Sequence, residues 1–147
     1  MMIPQHILEH NPTPFYAYDL GLLEETLQRC KTAAKRYNFH VHYAFKANVN
    51  DPILELIRDA GFGADCVSGQ EVKKAHDIGF SKDKIVFAGV GKTDAEIETA
   101  LKIGIFCFNC ESLEELEVIN ELAIKQNTIA SIALRINPNV NANTHHY

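Results

Sequence analysis

Lys46 is the residue of this chain whose type and position most readily suggest chemistry. It follows an apolar run, His40-Val41-His42-Tyr43-Ala44-Phe45, that reads as a buried strand, and Asn48, Asn50 and Asp51-Pro52 read as the turn that ends it. A lysine just beyond the carboxyl end of a strand, facing a crevice, loses part of the water around its ammonium. That loss disfavours the charged form, lowers the pKa and frees an amine that can attack carbonyl carbon. A lone lysine at a strand end often does no more than snorkel into solvent, so the context around Lys46 decides the reading.

Two further spacings suggest chemistry and have plainer explanations. Cys107-Phe108-Asn109-Cys110 has the C-x-x-C pattern, which serves redox or zinc sites at a helix start or in a knuckle with a second ligand pair. No second pair follows, and along a strand alternation would aim the two thiols in different directions. Structural cysteines fit better, with no metal site. Gly89-Val90-Gly91-Lys92-Thr93 invites a phosphate-loop reading, but only one residue separates its glycines. A tight strand-to-helix turn fits that spacing better.

The elements that must position these residues alternate regularly. Helices are expected over Leu20–Tyr37, Asp51–Ala60, Gly69–Ile78, Asp94–Lys102 and Leu113–Lys125. Ser68 with Glu71, Thr93 with Glu96 and Ser112 with Glu115 each have the spacing of a capping box. Strands are expected over His40–Phe45, Gly63–Val67, Ile85–Ala88, Ile105–Phe108 and Ser131–Ile136. One helix between each pair of strands means successive βα units and a parallel sheet. Either a doubly wound sheet or a (β/α)8 barrel satisfies that pattern.

The segment Tyr43-Ala44-Phe45-Lys46-Ala47-Asn48 resembles the pyridoxal-phosphate lysine motif of the diaminopimelate, ornithine and arginine decarboxylases, a family with an alanine-racemase-type barrel. Four further segments resemble that family in the same order. Thr13–Asp19 is similar to its opening strand, and Gly63–Glu71 to its second barrel strand and the turn after it. Leu134-Arg135-Ile136-Asn137-Pro138 is similar to its fifth barrel strand, and Asn141–Tyr147 to the loop that follows. The resemblance spans nearly the whole chain and is strongest to the diaminopimelate branch.

That resemblance implies a partial (β/α)8 TIM-type barrel: about five barrel strands, with an extra N-terminal strand and helix. In a barrel the strand carboxyl ends share one face, where active sites lie. Lys46, Asp65 to Ser68, Ala88 to Gly91, Asn109 and Arg135 to Asn137 would gather there. It further implies pyridoxal 5'-phosphate as cofactor, carried by Lys46 as catalytic lysine. Asp65 matches a family carboxylate near that lysine, and Arg135 a barrel-strand arginine close to the cofactor. His145 is the weakest candidate, since paired histidines of this kind are commonly solvated. The implied activity is decarboxylation of meso-diaminopimelate to lysine by the full-length enzyme, a cytoplasmic homodimer acting on a small amino acid. An ornithine- or arginine-type decarboxylase, or a non-catalytic pyridoxal-phosphate-binding or regulatory homologue, is the alternative.

Length and composition set bounds. A complete barrel needs about 250 residues, so residues 1–147 are expected to be an incomplete N-terminal barrel domain, inactive alone, without the family's β-rich C-terminal domain. Hydrophobic residues at 46% and charged residues at 22% are globular values. A net charge of −5 without a Lys/Arg cluster argues against a nucleic-acid partner. Met1–His6 lacks the pattern of a signal peptide, and no run is long enough for a membrane helix.

Overall fold

Five short strands alternate with helices, as the hydrophobic pattern requires. They are β1 His42–Ala44, β2 Gly63–Cys66, β3 Ile85–Phe87, β4 Cys107–Cys110 and β5 Ile132–Leu134. The helices are α1 Gln5–His10, α2 Leu20–Arg36, α3 Asp51–Asp59, α4 Gly69–Asp77, α5 Asp94–Ile103 and α6 Leu113–Lys125. This computed structural model describes residues 4–140; Asn141–Tyr147, with His145, lie outside them.

All neighbouring strands are parallel, in the sequential order β1-β2-β3-β4-β5. A doubly wound sheet reverses its strand order at a switch point and carries helices on both faces. Here the order never reverses and the strand residues packed with the helices share one side, so the sheet is part of a (β/α)8 barrel. Tyr43, Ala64, Cys66, Ile85, Phe87, Phe108 and Cys110 belong to the core formed with α3 to α6. Val86 is buried yet stands apart from that cluster, because alternation turns it to the opposite, inner face.

Several expected boundaries move. Thr13–Asp19, expected as a strand, forms none, and the N-terminal segment instead carries the short helix α1. A strand needs a hydrogen-bonding neighbour, and no described residue provides one there. The fourth strand starts at Cys107 rather than Ile105, so the whole C-x-x-C pattern lies within β4. Only Thr93 and Glu96 form a reciprocal capping box. At Ser68 and Ser112 the hydroxyl accepts the N–H of Glu71 or Glu115, while the glutamate itself reaches elsewhere.

Within residues 4–140, β1 and β5 each have a neighbour on one side only, and Ile129, Ile132, Leu134 and Ile136 are exposed. Unpaired edges beside exposed apolar side chains promote association. A polypeptide of these 147 residues alone is therefore expected to scatter light above its monomer mass. Its urea transition, followed by circular dichroism, should be broad. A sharp two-state transition from a soluble monomer would contradict the partial-barrel architecture.

Candidate active site

The inner face of the sheet leads directly to the residues of interest. Strand register lines up Ala44, Asp65, Val86 and Cys107 as one row across four strands. Beyond this row, at the carboxyl ends, the chain leaves the sheet through turns. After β1 the turn is one 3-10 turn, Phe45–Ala47, so Lys46 lies in a turn rather than directly at a strand's end. Its anchor is Phe45, fully buried and edge-to-face with Phe80 at 5.3 Å between ring centroids; a buried phenylalanine resists truncation to alanine by about 3–5 kcal/mol. The far side is fastened by the Tyr43 hydroxyl, which donates to the Asn48 carbonyl at 3.3 Å. The Asn48 side chain accepts the Asn50 N–H at 2.9 Å, an Asx turn that starts α3.

Lys46 is exposed, in an open recess that it shares with Tyr16, Tyr18, Asn48, Val49 and Glu71. Within residues 4–140 its side chain is thus open to solvent, not enclosed in the crevice expected from the sequence. Among the described residues no hydrogen bond or ion pair engages it. Asp65 is half-buried on the inner face, in register with Ala44. No hydrogen bond links Asp65 to Lys46 among the described residues.

Arg135 follows β5 and is exposed. Its Nη1 donates to both carboxylate oxygens of Glu111, at 3.1 and 2.9 Å. Glu111 was not anticipated. Its signal lay in strand pairing, since Cys110 is in register with Leu134 and the next residues are Glu111 and Arg135.

Lys92 belongs to the framework, not to a phosphate site. Its side chain is only 1% exposed and pairs with Glu115. The ammonium also donates to the carbonyls of Gly89 and Asn109, both at 2.9 Å, and lies 5.3 Å from the Phe87 ring centroid. All its donors point into protein, so the tight-turn explanation holds. Gly89 has φ +101° and lies against the Val67 carbonyl, a backbone conformation that L side chains rarely adopt.

The third helical residues Glu71, Glu96 and Glu115 act alike, each accepting backbone N–H groups from the strand-to-helix loops. Glu71 takes Val67 at 2.7 Å and Glu115 takes Glu111 at 2.8 Å. Glu96 takes Thr93 at 3.0 Å and, across helices, Gly69 at 2.7 Å. The Thr93 and Gly69 N–H groups hold the Glu96 carboxyl below its ordinary range. These carboxylates stiffen the loops at the carboxyl face.

At the opposite end of the sheet, His42 lies over Gly63, where an added Cβ would come within 2.2 Å of its ring. Its Nε2 is buried without a partner, and burial lowers the imidazole pKa against the opposing influence of Asp65. A cleft of about 700 Å3 opens at this end between α2, His42 and Phe106. Barrel chemistry belongs to the other end, so this cleft is not the site. The buried thiols of Cys66 and Cys110 are shifted upward, primarily by burial, and Cys107 likewise, which disfavours the reactive thiolate. No group of three or more metal-ligating side chains occurs among the described residues. No helix among them is long and apolar enough to cross a membrane.

A sequential parallel sheet of five strands, with an amine, a carboxylate and a guanidinium toward its carboxyl face, has the layout of part of a (β/α)8 barrel, a fold whose active sites lie at that face. The chain belongs to the pyridoxal-dependent decarboxylase, pyridoxal binding domain family, whose profile matches residues 20–147. It is 57% identical over 134 residues to diaminopimelate decarboxylase of Bacteroides thetaiotaomicron, covering 90% of this chain and 35% of that protein. It superposes on the structure of diaminopimelate decarboxylase from Helicobacter pylori complexed with L-lysine with a TM-score of 0.88 and 39% identity, covering 96% of this chain and 36% of the other. Against the Paramecium bursaria Chlorella virus arginine decarboxylase bound to agmatine, the TM-score is 0.77 and the identity 27%, over 92% of this chain and 36% of the other. The chain thus spans about a third of the length of the curated relatives it matches.

Proposed function

We propose that the protein containing this chain decarboxylates meso-diaminopimelate to L-lysine with pyridoxal phosphate held on Lys46. The observation that carries this is the exposed amine of Lys46 in the braced turn after β1, within a chain of the pyridoxal binding domain family. The donor set fits the cofactor: Lys46 has a primary amine for its aldehyde, and Arg135 a cation toward the same face for an anionic ligand. Asp65 adds a carboxylate on the inner face.

Bound there, pyridoxal phosphate supplies the electron sink for the pair left on the substrate Cα when the bond to the departing CO2 breaks. Lys46 Nζ would hold the cofactor, and as a free amine it would be placed to deliver the proton that Cα takes up. Asp65 contributes negative charge on the inner face beside the turn, and Arg135 supports the site electrostatically. The Tyr43 hydroxyl and the Phe45 ring hold the turn, so Lys46 needs little reorganisation.

Diaminopimelate is favoured over arginine by the higher identity to the superposed structure of its decarboxylase, 39% against 27%, and by the L-lysine in the Helicobacter complex, the expected product. In this reading residues 1–147 are the N-terminal part of a barrel that further sequence completes, followed by a β-rich domain, in a cytoplasmic homodimer of lysine biosynthesis. The test is to incubate the full-length protein with pyridoxal phosphate, reduce it with borohydride and map the peptides by mass. CO2 release is then measured from meso-diaminopimelate, ornithine and arginine. A pyridoxyl group on Lys46 with release from diaminopimelate is expected. Release from ornithine or arginine instead would change the substrate, and a Lys46 adduct without release from any of them would favour the non-catalytic homologue.

A further inference from the structure

A contiguous polar relay runs from the interior of the domain to Arg135. Lys92, 1% exposed, pairs with Glu115, 12% exposed, in the space between the β3–α5 turn and α6. Glu115 uses its other oxygen to accept the Glu111 backbone N–H at 2.8 Å. That bond fixes Glu111 where β4 gives way to α6. The Glu111 carboxylate, 14% exposed, then receives Nη1 of Arg135 on both oxygens, while the Arg135 N–H donates to the Cys110 carbonyl at 2.9 Å. An arginine that is itself 68% exposed is thus tethered to a carboxylate that solvent barely reaches.

We propose that Glu111 is a positioning residue that directs the Arg135 guanidinium at the carboxyl face, with the buried Lys92–Glu115 pair as its fixed support. This rests on the reading of Arg135 as the site cation. An exposed arginine side chain on its own samples many rotamers, and confining it has an entropic cost. Glu111 offers two acceptor oxygens and a backbone already held by Glu115, so that cost is met by charge-assisted bonds. A guanidinium fixed in this way presents its remaining N–H donors in one direction, which suits a ligand with anionic oxygens. Without Glu111 the cation would remain nearby but unaimed.

The test uses the full-length protein and two independent readouts. The first needs neither cofactor nor activity: modification of Arg135 by phenylglyoxal on cofactor-free protein, followed by peptide mass mapping. Glu111→Gln should raise the Arg135 modification rate about fivefold, the scale of a released exposed ion pair, and Glu111→Asp should fall between the two. Glu117→Gln, on the exposed side of α6, should leave the rate unchanged. The second readout is a double-mutant cycle on kcat/KM with Glu111→Gln and Arg135→Gln. Residues acting as a unit give a double variant no worse than Arg135→Gln alone, whereas a merely structural role for Glu111 makes the losses add. An unchanged Arg135 modification rate, or additive losses, overturns the proposal. Should the wild-type protein carry no pyridoxyl group on Lys46, the functional reading fails, and the modification rates still decide whether Glu111 directs Arg135.

Discussion

Replacing Lys46 by alanine in the full-length protein is expected to abolish cofactor attachment while leaving the fold intact. The side chain is exposed and makes no described contact that holds the domain together, and substitutions of that kind shift stability by no more than about 0.5 kcal/mol. The expected chemical loss is large by comparison, because in the proposed mechanism the same amine both holds the cofactor and handles the proton at Cα. Losing the general acid–base role alone lowers a rate by about 10²–10⁴-fold, and the loss of attachment adds to this. Lys46→Arg keeps the positive charge but not a nucleophilic amine, so it should fail in the same way. The bound-cofactor absorbance, the borohydride-trapped peptide and CO2 release check this together, with the circular dichroism spectrum as control for folding. An adduct that persists in Lys46→Ala, for example on Lys92, would remove Lys46 from the mechanism.

The second large effect concerns stability. Lys92→Met should destabilise the full-length protein by about 3–5 kcal/mol, the usual consequence of removing one partner from a buried ion pair. The loss leaves one Glu115 oxygen and the Gly89 and Asn109 carbonyls without the donor they now share. Methionine fills similar space beside Phe87, so the change isolates the missing charge from any cavity. Pairing it with Glu115→Gln removes the stranded carboxylate and should recover a substantial part of the loss. The urea midpoint measures both variants. A Lys92→Met variant within about 1 kcal/mol of wild type would contradict a buried, fully engaged pair, and a double variant worse than Lys92→Met would contradict the stranded-charge explanation.

The helices were legible because each carries local signals that agree. The α6 span Leu113–Lys125 matches the expected bounds, since Ser112 before it and the apolar spacing within it point to the same register. Strand ends were less legible. Ile105 and Phe106 are as apolar as Phe108, and only pairing with β3 and β5 decided that β4 starts at Cys107. Thr13–Asp19 shows the same limit, because an extended apolar pattern becomes a strand only where a neighbouring chain meets its backbone groups.

For the site, the position of Lys46 after an apolar run was enough to single it out and to suggest what an amine there does, while Asp65 and Arg135 came from the resemblance of the segments around them. Local sequence also specified the turn chemistry around Lys46, since the Asn48 side chain accepts the backbone N–H two residues on. What required the folded chain was every relation between distant residues. The glycine spacing already favoured a tight turn around Lys92, but the carbonyl acceptors and Glu115 that hold its ammonium come from the fold, and Glu111 had no local mark of its own before β4 and β5 came into register. The exposure of Lys46 likewise could not be read from the apolar run before it. Burial depends on what lies across from a residue in space, and periodicity reports only which face of its own element it occupies.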